Sequence, residues 1–476
     1  MNPTRVSAIG AALLAGLVHN SSVNAQDADL QTLRSELTAL RQQVAAQEAE
    51  LRQLRSSTTQ PALGAGAHPD DVRAIVREVL QDAETRASLI GPVSAGYDRG
   101  FFLRSADGNN ELRLGLVGQI RYVYNHRSEG ENVGDSSDRD SDGFQIRRAQ
   151  VDFQGHFVDP RWTYRLRLDA NNGGNIQAAW AWVGYKINDD LSLTFGQIKP
   201  SFLHEENVGG PAQLAAERSY TSDYFTTDFT QGIQLTWRAS DRLKLVGTLH
   251  SGSYAARTDF NNDGTDFGLN ARAEYLLVGD NVKTAWRQFG DFQSWKGDQP
   301  VVLVGAAVNY EKGESGIDGS LPDVFGWTAD ITAKFNGLGL FAAIVGKHYS
   351  VDGTPASGVP SDLDGSDQIG IVAQASYFVI PDKFEPFIRY EWINFDGAYY
   401  RNNGGGIQSG SRNLDDDDLS IITVGANYYL KKHNAKLTVD VLYALDPVPV
   451  SNTGQGLLRS ADGDQWAVRS QFQFRF

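Results

Sequence analysis

The residues best suited to chemistry in this chain are arginines. Arg165 and Arg167 stand two apart, and Arg148 lies one strand length before them. Positions i and i+2 of a strand share a face, so Arg165 and Arg167 project to the same side. A guanidinium presents a planar fork of donors that matches carboxylate and phosphate oxygens, and a cluster of them facing water would bind small anions. Asp152 and Asp169 fall on the same polar faces. The arginines therefore either bind passing anions or hold a wall together as ion pairs, and the spacing leaves both readings open. Arg121, Arg238 and Arg272 occupy polar faces of other alternating segments, together with Arg113, Lys244, Lys334, Lys347 and Arg389. The long connection 199–229 brings Lys199, His204 and Arg218 beside Glu205, Glu206, Glu217, Asp223 and Asp228. Its excess of acid counts against phosphate as a ligand there.

Other chemistries find little support. The chain has 8 histidines and no cysteine, and it lacks a nucleophile motif, a phosphate-cradling glycine loop and a metal-ligand set. No catalytic residue, metal or cofactor is expected. Asp138-Arg139-Asp140-Ser141-Asp142-Gly143 and Asp259-Phe260-Asn261-Asn262-Asp263-Gly264 imitate the start of a calcium loop. Position twelve is Ala149 in one and Asn270 in the other, where such a loop requires Glu, so an EF-hand is rejected. Divalent bridging by these acids, or by Asp415-Asp416-Asp417-Asp418, is the alternative to a solvated acidic rim.

The elements that carry the arginines are strands. Phe472, Phe474 and Phe476 alternate with Gln471, Gln473 and Arg475 to the last residue. An aromatic face opposed to a charged one fits a strand with lipid on one side and water on the other. Sixteen such segments run from 112–124 to 463–476, an even number, as closed barrels have. Short connections such as Asn188-Asp189, Gly337 and Pro381-Asp382 alternate with long ones at 125–143, 199–229, 350–367 and 396–418. Short inside and long outside is the asymmetry of an outer-membrane barrel. Two connections break it. The stretch 278–299 is long where parity demands a periplasmic turn, and a hidden strand pair near 282–296 would raise the count to eighteen. Asn172–Asn175 is external yet short.

Composition agrees with this reading. There are 49 glycines, 9 Trp, 18 Tyr and 23 Phe among 476 residues, and the mean hydropathy is only -0.36. Barrels carry a far weaker apolar signal per segment than membrane helices do. The net charge of -15 argues against nucleic acid as a partner. The longer external connections are together more acidic than the whole chain, so the remainder is slightly basic. Ahead of the barrel, residues 1–25 read as a signal peptide with cleavage before Gln26. Residues 26–56 form a coiled coil: Leu30, Leu37, Val44 and Leu51 at a, Leu33, Leu40, Gln47 and Leu54 at d. Residues 57–99 are a linker able to hold a short helix at 70–87, and the barrel occupies 100–476.

The segment from Gly143 to Trp237 resembles the phosphate-selective porin O and P family. The likeness is carried by Phe144-Gln145-Ile146-Arg147-Arg148-Ala149-Gln150-Val151, Gly196-Gln197-Ile198-Lys199-Pro200-Ser201-Phe202, Glu217-Arg218-Ser219 and Gly232-Ile233-Gln234-Leu235. Leu103 to Gly108 and the terminal phenylalanine also fit. The resemblance implies a sixteen-stranded, homotrimeric outer-membrane porin with infolded loops that narrow the pore and basic side chains that bind anions. The expectation is thus an all-β transmembrane barrel of about sixteen antiparallel strands after a short periplasmic coiled coil. It would pass small hydrophilic solutes, anions and phosphate preferentially, along Arg121, Arg148, Arg165, Arg167, Arg238 and Arg272, with Lys199, His204 and Arg218 at the constriction. A general or cation-preferring porin is the alternative favoured by the acidic rim. A tether whose coil contacts the cell wall is a second alternative.

Overall fold

The computed structural model describes residues 93–98, 100–127, 139–170, 175–259, 265–316, 319–402, 407–411, 418–460 and 463–476. The expected signal peptide, coiled coil and helix at 70–87 lie outside the described residues, as do the acidic stretches 128–138, 260–264 and 412–417 and most of Asn172–Asn175.

The period-two segments become strands. They are β1 (Glu111–His126), β2 (Asp140–Phe157), β3 (Asp159–Ala170), β4 (Ile176–Lys186), β5 (Leu191–Ile198), β6 (Thr230–Arg238), β7 (Leu243–His250) and β8 (Thr265–Val278). The second half holds β9 (Val301–Gly313), β10 (Asp323–Phe335), β11 (Leu338–Ser350), β12 (Asp367–Tyr377), β13 (Phe384–Asn394), β14 (Asp418–Lys431), β15 (Ala435–Ala444) and β16 (Gln465–Arg475). Each pairs antiparallel with its neighbours in the chain. β16 returns to β1, from Trp466↔His126 to Arg475↔Val117, and closes a 16-strand barrel. Closure is what lipid demands, because an open edge would leave backbone donors and acceptors without partners.

The two faces sort as the alternation predicts. On β16, Arg469, Gln471 and Gln473 are buried within the barrel while Phe472 and Phe474 face outward. On β8, Asn270, Arg272 and Glu274 point in, and Leu269, Tyr275 and Leu277 point out. Turns at the end holding the C-terminus are tight. Val158 alone joins β2 to β3, and Asn336-Gly337, both at positive φ, join β10 to β11.

Two elements differ from expectation. A hairpin, Val93–Tyr97 against Phe101–Ser105, extends the sheet where residues 93–99 read as linker. It pairs with the first residues of β1 beyond the point where β16 stops. Tyr97, Phe101 and Phe476 make edge-to-face contacts at 5.2 and 5.7 Å that seat it there. Five-residue strands are too short to show a period. The second difference is the long connection 278–299. It holds a helix, α3 (Val282–Gln288), rather than two hidden strands, so the barrel count is not eighteen. Asn281 caps this helix by accepting a hydrogen bond from the Thr284 amide at 3.3 Å.

Gly196 on β5 has φ +127, and a Cβ there would strike the Ala181 carbonyl oxygen of β4. Gly196→Ala is expected to cost about 2 kcal/mol, the scale of one forced backbone conformation. The urea midpoint of the refolded barrel should fall with strand content intact, and an unchanged midpoint would remove the strain argument.

Candidate functional site

The connection 199–229 does not stand over the barrel mouth but folds into the lumen. It contains a single helical turn, α1 (His204–Asn207), and α2 (Tyr220–Phe225). Ser219 caps α2 by accepting from the Ser222 amide at 2.9 Å, and its own amide and hydroxyl donate to the buried Glu205 carboxylate. A loop buried this way must satisfy its backbone away from water. Wall side chains do so. Arg272 donates to the Phe202 carbonyl (3.1 Å), Lys436 to Gln213 (2.8 Å), Asn427 to Leu214 (2.8 Å), Gln473 to Pro211 (3.0 Å) and Arg389 to Glu217 (3.0 Å). Asp440 accepts from the Ala216 amide at 2.8 Å. The loop therefore lies against the β8–β16 side of the wall, which leaves open space along β2–β5.

That space is a cavity of about 530 Å³. Its basic lining residues are Arg147, Arg148, Arg165, Arg167, Lys199, Arg218 and Arg257, and its acids are Asp169, Glu206, Glu217, Asp223 and Asp228. Arg165 and Arg167 both grip Asp152, each through its Nε at 3.0 Å and Nη2 at 2.6 Å. Two guanidiniums on one carboxylate leave a net positive charge. Arg165 also lies over the Trp180 ring at 5.0 Å. The ion-pair and cavity-lining readings of this pair thus coexist in one geometry.

Glu217 is the second centre. Its carboxylate accepts from Arg147 Nε at 2.6 Å and from Arg148 Nη2 at 2.5 Å, with Arg121 Nη1 at 3.9 Å. Burial alone would raise its pKa, but Arg147 and Arg148, then Arg121, outweigh burial and hold it well below the usual carboxylate range. Lys199, also on the loop, pairs with Glu206 and with Asp228 at 3.0 Å. Burial disfavours its charge, yet those carboxylates raise its pKa overall. Gly210 lies close to Arg148, where a Cβ would sit 2.8 Å from the guanidinium Nε.

Strand alternation does not forecast Arg147 at this site. In β1–β2 pairing, Gln119 faces Arg148 but Ile120 faces Ile146, so Arg147 is the extra residue of a β-bulge. A bulge re-aims side chains locally, here delivering two consecutive arginines to one carboxylate. A second irregularity, between Arg167 and Leu168 against β4, lies beside the same cavity. The adjacent Arg147-Arg148 pair inside an alternating strand was the available signal. Arg257, Trp180 and Tyr254 also line the cavity and carried no sequence signal.

The remaining expected residues lie elsewhere. Arg121 is fully buried, donating to Gln145 at 2.8 and 2.6 Å and to the Gly454 carbonyl at 2.8 Å. Arg272 is locked between Asp330 (2.8 and 2.9 Å) and Glu274 (2.9 Å). Arg238 sits at the tight-turn end of β6, exposed and 3.5 Å from Asp190. His204 is buried between Phe292 and Phe341, with ring centroids 6.0 and 5.8 Å away. None of these four lines the cavity. Arg148, Arg165, Arg167, Lys199 and Arg218 are the expected residues that do.

Residues 118–289 match the model of the family described as phosphate-selective porin O and P. No curated protein matches the chain. Among solved structures, the anion-selective porin from Comamonas acidovorans superposes with a TM-score of 0.50 at 12% identity, covering 77% of this chain and 100% of that one. The outer membrane channel DcaP of Acinetobacter baumannii gives 0.49 at 12% identity, covering 80% and 100%. Salmonella typhi OmpF, in complex with daunomycin, gives 0.49 at 17% identity, also covering 80% and 100%. At such identities the likeness is one of fold.

Proposed function

We propose that this outer-membrane porin, whose residues 118–289 match the phosphate-selective porin O and P family, preferentially conducts small hydrophilic anions through its lumen. The observation that carries the reading is the basic excess around one lumen cavity, where Arg165 and Arg167 share the single carboxylate of Asp152. Permeation is passive: the barrel excludes lipid, the loop 199–229 confines the path, and arginines compensate part of the hydration an anion gives up. Phosphate is the probe anion of choice, because its oxygens suit guanidinium forks. Assembly as a homotrimer belongs to the same reading. Cation preference is the competing one, favoured by the acidic external connections.

The deciding measurement is the zero-current potential of the refolded protein in a planar bilayer under a KCl gradient, repeated with phosphate. An anion-signed potential with phosphate blocking the chloride current is expected. A cation-signed or null potential, indifferent to phosphate, would overturn the proposal.

A further inference from the structure

We infer that the connection 279–300 is a second constriction element, which closes the β8–β15 side of the lumen from the tight-turn end and props the infolded loop against the wall. The inference rests on the porin reading above.

Joining β8 to β9 requires only a few residues, as the other turns at this end demonstrate. This connection is instead long, and after α3 it runs inward. Phe292, Gln293, Ser294 and Trp295 are all buried. Phe292 joins one apolar cluster with Val208, Ala212, Leu214 and Ala215 of the infolded loop and with Phe341, Val372 and Phe387 of the wall. The two inward segments, one from each end of the barrel, therefore meet inside it. Gly339 on β11 permits the approach, since a Cβ there would collide with the Phe292 carbonyl oxygen.

The segment is fastened to four separate turns. Trp286 Nε1 donates to the Asp241 carbonyl at 2.9 Å, and the Gly337 amide donates to Ser294 Oγ at 3.0 Å. The Lys296 amide donates to Asp382 at 2.8 Å. Asp291 is 3.0 Å from His433 Nε2 in the β14–β15 turn, and it accepts from Lys334 at 2.6 Å. Trp295 wedges against Phe378, Tyr429 and His433, with ring centroids 5.1, 4.9 and 5.2 Å away. Fully buried Lys334 also donates to the Gln288 carbonyl. An aromatic wedge held at so many points does not swing freely. It leaves solute the arginine-lined side, and it fixes the loop that bears Glu217, Lys199 and Arg218.

The test compares three proteins in planar bilayers: the full chain, a variant with Gly279–Pro300 replaced by an Asn-Gly turn, and F292A/W295A at full length. Heat-modifiable electrophoretic mobility reports that each barrel is folded. Single-channel conductance of the turn variant should rise roughly twofold or more, the ratio for releasing about half the lumen section, with a larger solute exclusion limit. F292A/W295A should move the same way by less, and it carries the test alone if the turn variant does not fold. Folded variants that conduct and exclude solutes as the parent does would overturn the inference. A parent without conductance would sink the porin reading instead. In that case a turn variant that conducts would still support the second constriction, and one that does not would remove both.

Discussion

A Glu217→Gln variant should conduct with a sharper anion preference than the parent, by up to about tenfold in permeability ratio. Glu217 is the carboxylate that Arg147, Arg148 and Arg121 surround. It lines the lumen cavity as a counter-ion built into the chain. Removing a unit charge about 6 Å from the path changes the energy of a passing anion by up to about 2.8 kcal/mol at an effective dielectric of about 20. Salt and water in the lumen halve that, which leaves about one factor of ten. The zero-current potential under a KCl gradient reads the effect directly, and a value equal to the parent's would remove Glu217 from the selectivity mechanism. Stability responds in the opposite sense. Breaking a buried ion pair from one side costs about 3 kcal/mol, so the unfolding midpoint should drop. Phosphate should restore it more in the variant than in the parent, by supplying negative charge to the arginines that the substituted side chain no longer neutralises.

Acid does not imitate this variant in the ordinary range. The Glu217 pKa is depressed in the folded state, so its stabilising contribution is complete above the usual carboxylate pKa and is lost only as pH falls through the lower, folded value. Between neutrality and mild acid the charge on Glu217 is constant.

The second large effect belongs to Arg165 and Arg167. Replacing both with Gln should shift the zero-current potential toward cations by about three- to tenfold in permeability ratio, because the wall then presents Asp152 without its partners. The same change removes four strong hydrogen bonds to Asp152, so lost selectivity alone would not separate an anion path from a scaffold. Adding Asp152→Asn separates them. The triple variant has no buried unpaired acid and should regain most of the stability. If the arginines act on the solute, the triple variant remains less anion-selective than the parent. If they serve only to hold the wall, its selectivity returns with its stability, and the anion-path role is excluded.

Where sequence and structure disagree, the disagreements share a cause. Arg272 and Arg165 read alike in the sequence, each inward on an amphipathic strand. In the folded chain Arg272 holds the Phe202 carbonyl of the infolded loop, while Arg165 faces open space. Arg389 and Lys436 are also spent on that loop's carbonyls. His204 reads as a constriction residue because it lies in that loop, yet it points into an aromatic pocket. The acidic balance of the loop is likewise misleading taken by itself, since Glu217 is neutralised by Arg147 and Arg148, neighbours that its own count does not include.

Period-two patterning and the lengths of the connections by themselves determined the barrel, its lipid and lumen faces, and which end carries the tight turns, while the strand count stayed between sixteen and eighteen until the helix at Val282–Gln288 excluded the extra pair. Those properties are local: a side chain's face follows from its place in the pleat, and lipid admits no open sheet edge. Only the tertiary structure decided which inward arginines line the open cavity. That choice depends on where two long connections come to rest inside the barrel, and on a bulge that turns Arg147 inward beside Arg148. The partners concerned are far apart in the chain, as Glu217 is from Arg148 and Phe292 from Ala212. No strand period specifies which distant segment will cover a given stretch of its polar face.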